Sequence, residues 1–224
     1  MDPDGSFTKE EKRLSPFNPE RRRQMLEGDW TAIGGQFFPE FRRDRHVADR
    51  DRETAGVWWE RWIDWGYNAP GVCYWVACLP DGRLYVRHEY KFTQTIAAEV
   101  AQIIGQQTKD LAQVLGHTVA VRKSVADPSM WSHTGHTGES LADTFRRYEI
   151  GLQKGDNERE IGWQRLRHFL ANAPDGAPWI QWHPSCTYAI RSLPSLVSDP
   201  QHLDDVDTAG DDQVVLPCHQ GMRG

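Results

Sequence analysis

Three short runs, WWERWIDWG, GVCYWVACL and RLYVRHEY, follow one another between residues 57 and 90 with only turn residues between them. They are rich in Trp, Tyr, Val, Ile and Cys, the side chains that suit a pleated, half-buried surface. Asn68-Ala69-Pro70-Gly71 punctuates the first gap and Pro80-Asp81-Gly82 the second. Both are turn signals, and Asp-Gly is the stronger one. Three consecutive strands joined by tight turns form an antiparallel meander.

The pattern then changes period. Residues 93–115 carry Ile96, Val100, Ile103, Ile104, Leu111 and Leu115 close to an i, i+3/i+4, i+7 stripe, which predicts a helix. Thr93 or Thr95 can cap its start, and Gly116 stands where a C′ glycine belongs. His117–Arg122 reads as a strand running towards Ala126-Asp127-Pro128. Residues 138–149 and 157–172 read as helices, residues 178–183 as a short strand, and Cys186–Leu193 as a helix that Pro194 ends. The order β-β-β-α-β-α-α-β-α predicts an α/β fold, a mixed central sheet flanked by helices. Residues 1–56 are charged, nearly all so in Asp44–Glu53, and read as an arm or linker before a main domain at 57–224. The arm's one apolar patch, Trp30 with Phe37, Phe38 and Phe41, can dock on that domain.

The chain of 224 residues is 38% hydrophobic, with 10 Trp, 8 Phe and 6 Tyr, enough for a real core. No apolar run approaches the roughly 20 residues of a membrane span, so no membrane partner is expected. The N-terminus has charge but no apolar stretch of the signal-peptide kind. Cys73, Cys78, Cys186 and Cys218 show no CxxC spacing, which argues against a disulfide framework or structural zinc and suits a reducing cytosol. A formal net charge of −6 argues against simple electrostatic clamping of nucleic acid. It leaves open a nucleic-acid enzyme whose acids hold metal ions.

Asp64 sits in Trp62-Ile63-Asp64-Trp65-Gly66, within an otherwise apolar strand, where a carboxylate is costly unless it meets a cation or hydrogen-bond donors. The ordinary reading is a strand-end Asp that caps the next turn. Asp127, before Pro128, has the same ordinary reading. Together they say more, because the first strand and the strand after the first helix lie side by side in a sheet of this order. Two adjacent acids repel and need a shared cation, and hard oxygen ligands suit Mg²⁺ or Mn²⁺. Asp204, Asp205, Asp207, Asp211 and Asp212 form a third acidic group, mostly solvated tail, one of which can complete a carboxylate cluster. His133 and His136 lie on a Gly/Thr-rich loop without Cys or Glu partners at zinc-ligand spacing. Arg21–Arg23, Arg42-Arg43, Arg146-Arg147 and Arg159/Arg165/Arg167 are local basic clusters, either solvated faces or phosphate positioners. No GxGxxG, GxxxxGK[ST] or GxSxG motif is present.

At these residues the sequence resembles the C-terminal nuclease domain of the large terminase subunit of tailed bacteriophages. IDWGYNAPGVCYWVACLPDGRLYVRHEY is similar to that family's first three strands, with Asp64 as first metal ligand. TIAAEVAQII follows as its helix, and VADPSMW resembles the second-acid segment, with Asp127 as ligand. GLQKGDNEREIGWQRLRHFL and the arm RRRQMLEGDWTAIGGQFFPEF are similar to later and earlier segments of the same family. One departure stands out. The family's C-terminal signature resembles D-D-H-x-x-D-A-x-R-Y, whereas this chain has Asp211-Asp212-Gln213, then Leu216-Pro217. The His position is Gln213 and the third-ligand position is Leu216, so either Asp211 or Asp212 substitutes or the site keeps two strong acids.

The resemblance implies an RNase H-like fold and an endonuclease that cuts concatemeric viral DNA during packaging. It implies two Mg²⁺ or Mn²⁺ ions about 4 Å apart, bridged by Asp64, one also held by Asp127 and the other by Asp211 or Asp212. The acids act as ligands rather than general bases, with Glu89 and Glu99 as outer-shell candidates or surface residues. Implied partners are double-stranded DNA, the terminase ATPase domain, the small terminase subunit and the portal, in the host cytoplasm. With no Walker motif, the chain is expected to hold the nuclease half without the motor. The alternatives are a docking or regulatory module whose altered C-terminus has lost catalysis, or another RNase H-like nuclease such as a resolvase.

Overall fold

The computed structural model describes residues 36–133, 138–156, 158–199 and 205–206. Its strands are β1 Trp58–Asp64, β2 Gly71–Cys78, β3 Leu84–Phe92, β4 Ala120–Ala126, β5 Leu152–Lys154 and β6 Ile180–Trp182. They form one sheet in the order β5-β4-β1-β2-β3-β6. The helices are α1 Arg43–His46, α2 Ala97–Leu115, α3 Leu141–Arg147, α4 Arg159–Leu170 and α5 Thr187–Ser192.

The expected meander is present, with β1, β2 and β3 pairing antiparallel in sequence. Its Asp-Gly turn closes through Leu79 and Arg83, with Gly82 at φ +85°. β4 then pairs parallel to β1 on the far side from β2, and β5 and β6 add parallel at the two edges. β2 is buried throughout, which is why its sequence is a continuous apolar run instead of an alternating one.

Side chains leave a strand alternately to its two faces, and two cores result. Trp62, Val72, Tyr74, Val86 and Val125 point to one face, which α4 covers with Trp163 and Leu166 and α5 with Ala189 and Ile190. Trp59, Ile63, Cys73, Trp75 and Ala126 point to the other, covered by Val100, Ala101 and Ile104 of α2 and Phe145 of α3. Phe37, Phe38 and Phe41 of the arm are buried in the first core. Phe37 meets Trp163 edge-on at 5.8 Å between centroids, and Phe41 meets Trp182 at 5.7 Å. The arm's apolar patch is thus docked, at about 2–3 kcal/mol of burial per ring; Trp30 lies outside the described residues.

Local details differ from the pattern-based expectation in three places. α2 begins at Ala97 with Ile96 in extended conformation and no side-chain cap, because the Thr95 hydroxyl donates instead to the Thr93 carbonyl at 2.9 Å. Its far end is as expected, with Gly116 left-handed at φ 70°. α3 is opened by a reciprocal capping box between Ser140 and Asp143. β5 and α1, of three and four residues, are too short to show a period. Among the described residues, no helix is long and apolar enough to cross a membrane, and Cys73, Cys78 and Cys186 are free and buried.

Candidate active site

Asp64 ends β1 and is 5% exposed. Asp127 directly follows β4 and caps a short 3₁₀ turn, Pro128–Trp131, by accepting from the Ser129 amide at 2.7 Å. The two strands are parallel neighbours, with Trp62 opposite Val125 and Ile63 opposite Ala126. One further step in that register sets Asp64 beside Asp127, at the strand spacing of about 4.8 Å. Alternation also gives them the same face: Asp64 shares the parity of Trp62, and Asp127 that of Val125. The structure therefore brings together the two acids that the sequence singled out.

The end of β1 is held by a crowded turn. A Cβ on Gly66 would lie 2.3 Å from the Ala69 carbonyl oxygen, and one on Gly71 would lie 2.3 Å from the Phe92 ring. Only glycine permits both approaches. The Tyr67 carbonyl accepts from the Gln94 amide at 2.8 Å and the Thr93 hydroxyl at 3.3 Å, which ties this turn to the end of β3.

Glu89 lies opposite Tyr74 and so on the acid face. Its two oxygens accept from the Tyr188 amide at 2.7 Å and the Ala189 amide at 3.1 Å, anchoring the first turn of α5. Burial pushes its carboxyl up, against the two amide bonds that pull it down. Glu99 is exposed on α2, over the opposite face, where its charge and above all burial raise the Tyr90 hydroxyl. It is not brought to Asp64. His133 is exposed and bridges to Ser140. Asp211, Asp212, Gln213, Leu216, Pro217, His136, Asp204 and Asp207 lie outside the described residues.

Asp205 departs from the solvated-tail expectation. It accepts from the Trp163 indole at 2.9 Å and pairs with Arg159 at 3.2 Å, while Val206 enters the first core. An indole N–H and a guanidinium on α4 give that carboxylate partners, and the C-terminal segment is thereby seated on the acid face.

Lys91 was missed by the sequence reading. It lies on the row Asp64–Val72–Lys91 across β1, β2 and β3, on the acid face, with its ammonium 3.9 Å from the Tyr188 ring centroid. The available signal was the alternation of Glu89 and Lys91 in HEYKF once the two turns fix the register.

Two carboxylates on one face provide hard oxygen donors of the kind Mg²⁺ and Mn²⁺ take, so the donor chemistry fits a divalent ion. Among the described residues, no group of three or more His, Cys, Asp or Glu side chains is placed to hold one. A third ligand would have to come from elsewhere in the chain or from the substrate.

No family model matches the chain, and no curated protein matches it in sequence. Solved structures do match it. A full-length large terminase from a thermophilic bacteriophage superposes with a TM-score of 0.65 at 16% identity, over 98% of this chain and 53% of that one. The P22 large terminase nuclease domain gives 0.64 at 13% identity, over 84% of this chain and 90% of that domain. The large terminase nuclease of thermophilic phage G20c, solved with bound zinc, gives 0.50 at 12% identity, over 84% of this chain and 99% of that one. The chain spans about half the length of the first of these, the large terminase that it matches almost from end to end. The meander, the parallel strand beside it and the two flanking helical layers are the RNase H-like fold of the phage large-terminase nuclease domain.

Proposed function

We infer that this chain is a metal-dependent endodeoxyribonuclease of the terminase type, cutting concatemeric viral DNA during genome packaging. The observation that carries the reading is the placement of Asp64 and Asp127 side by side, on one face, at the ends of parallel strands. The fold likeness to the P22 nuclease domain, and the zinc bound by the G20c relative, support it.

Asp64 and Asp127 would hold Mg²⁺ or Mn²⁺, two ions per site, with Asp211 or Asp212 as third ligand. When bound, such ions make a nucleophile available at neutral pH and stabilise the leaving 3′ oxygen. The protein's own contribution is rigidity. Asp64 is fixed by burial and by the crowded Gly66–Gly71 turn, and Asp127 by its bond to the Ser129 amide. Neither is asked to move a proton. Double-stranded DNA is the substrate, and the ATPase domain, small terminase subunit and portal are the expected partners in the host cytoplasm.

Asp64→Ala should abolish Mn²⁺-dependent nicking of supercoiled plasmid while leaving the thermal transition in place. Full nicking by that variant would overturn the assignment. A second reading, a docking module without catalysis, draws on the Gln213 and Leu216 departure from the family pattern. A folded chain that nicks nothing with Mn²⁺ and takes up no metal by calorimetry would favour it.

A further inference from the structure

The acid face carries a cation in line with the acids. Lys91 is exposed at the end of β3, which runs parallel to β1, so it emerges at the same end of the sheet as Asp64 and Asp127. On the sheet's own spacing it stands two strands from Asp64, about 10 Å, on the side away from Asp127. Neighbouring phosphates of one DNA strand advance about 3.4 Å along the axis, so that offset corresponds to two or three phosphates.

Lys91 is also held in place. Its ammonium stacks on Tyr188, a ring 6% exposed, and Tyr188 is located because Glu89 accepts its amide and that of Ala189. The ring occupies one side of the ammonium. A lysine otherwise carries a flexible four-carbon stem and loses rotamer freedom when it binds, so stacking lowers that cost in advance. Glu89 thus acts on the acid face at one remove, through α5 and Tyr188.

We propose that Lys91, seated on Tyr188, binds the DNA backbone a few phosphates from the one at Asp64 and Asp127, and so positions the strand to be cut. This rests on the nuclease reading and deepens it. Lys91 is a positioning residue: it holds a phosphate and neither ligates the ions nor touches the reacting atoms.

The test is binding of a fluorescent duplex by the whole chain with Ca²⁺ present, followed by anisotropy across salt concentrations, with the Mn²⁺ affinity of each variant measured by calorimetry. Loss of one phosphate contact should lower the salt slope by about 0.9. The affinity deficit of Lys91→Ala should therefore shrink about 3.5-fold between about 50 and about 200 mM salt. Lys91→Arg should restore most of the slope, and both variants should keep the unaltered chain's Mn²⁺ affinity and melting transition. A Lys91→Ala chain that nicks plasmid and binds DNA with unchanged slope overturns the proposal and leaves the nuclease reading standing. A slope lost equally in Lys91→Arg, or a fall in Mn²⁺ affinity, assigns the residue a structural role and also overturns it. An unaltered chain that neither binds duplex nor nicks plasmid overturns both readings.

Discussion

Gly66→Ala is the sharpest structural test of how the acid site is built. A methyl at this position would meet the Ala69 oxygen at 2.3 Å, the Pro70 carbonyl carbon at 2.7 Å and the Gly71 nitrogen at 2.8 Å. All three are backbone atoms, so no side-chain rotation relieves them. Overpacking a core costs about 1–3 kcal/mol where neighbours can shift, and here the turn itself must open, which points to the upper end. At about 2 kcal/mol per molar of urea, a loss of about 3 kcal/mol moves the unfolding midpoint down by about 1.5 M. Because the turn begins two residues after Asp64, opening it also displaces that carboxylate, and Mn²⁺ affinity by calorimetry should fall with stability. Gly105→Ala supplies the matched control. It lies inside α2 with no atom within 4 Å of its new methyl, so it should gain about 0.5–1 kcal/mol and leave metal affinity alone. A Gly66→Ala chain with an unmoved midpoint would refute the packing argument, and one that loses stability but keeps full Mn²⁺ affinity would refute the link from turn to site.

Acid should weaken the fold through its buried histidines. Burial holds His88 and His183 below the usual histidine range, so the unfolded chain takes up protons first as pH falls through about 6.5, and stability drops from there by up to about 1.4 kcal/mol per pH unit per histidine. Glu89, whose carboxyl is raised, works with the opposite sign, gaining stability as pH falls through its folded value. Urea midpoints at about pH 7.5 and about pH 5.5 should therefore differ, and His88→Gln should flatten the difference; an unchanged difference would remove His88 from the account. Asp205→Ala should cost about 1–3 kcal/mol by stranding the Trp163 indole and Arg159, and should lower Mn²⁺ affinity if the C-terminal segment supplies a ligand; equal metal affinity would detach that segment from the site.

The two principal acids were legible because each stands at the end of an apolar run, and because strand order follows from turn lengths and one crossover helix. Asp64 needed only its anomaly, a carboxylate within Trp62-Ile63-Asp64-Trp65. Asp127 needed the parallel pairing of β4 with β1, which the element order implied. Lys91 needed more, namely the residue-by-residue register of β1 on β2 on β3, which includes a shift between Trp75 and Val76. Counting alternation along β3 without that irregularity would assign Leu84 and Lys91 to opposite faces, yet Leu84 packs with the core on the acid face. Bulges are set by tertiary packing and leave no local mark in the sequence. Asp205 was misread for a related reason. Its partners, Trp163 and Arg159, are more than forty residues away and belong to a helix whose polar face looks solvated when read alone.

The chain's charge of −6 then takes on a different meaning. Spread over a surface, six excess negative charges would repel DNA; what decides binding is where charge lies relative to the path of the phosphates. Two of the acids stand together on one face, where bound divalent ions would reverse the local sign. Lys91 stands on that same face, and Asp205 is paired with Arg159 instead of facing solvent. The acidic total is therefore compatible with a DNA substrate, on condition that binding depends on the metal. Duplex affinity should rise on adding Ca²⁺ to a chain stripped with EDTA, and this gain should vanish in Asp64→Ala. Equal affinity with and without the ion would mean that the excess acid lies away from the DNA path, and would detach Asp64 from the surface that DNA crosses.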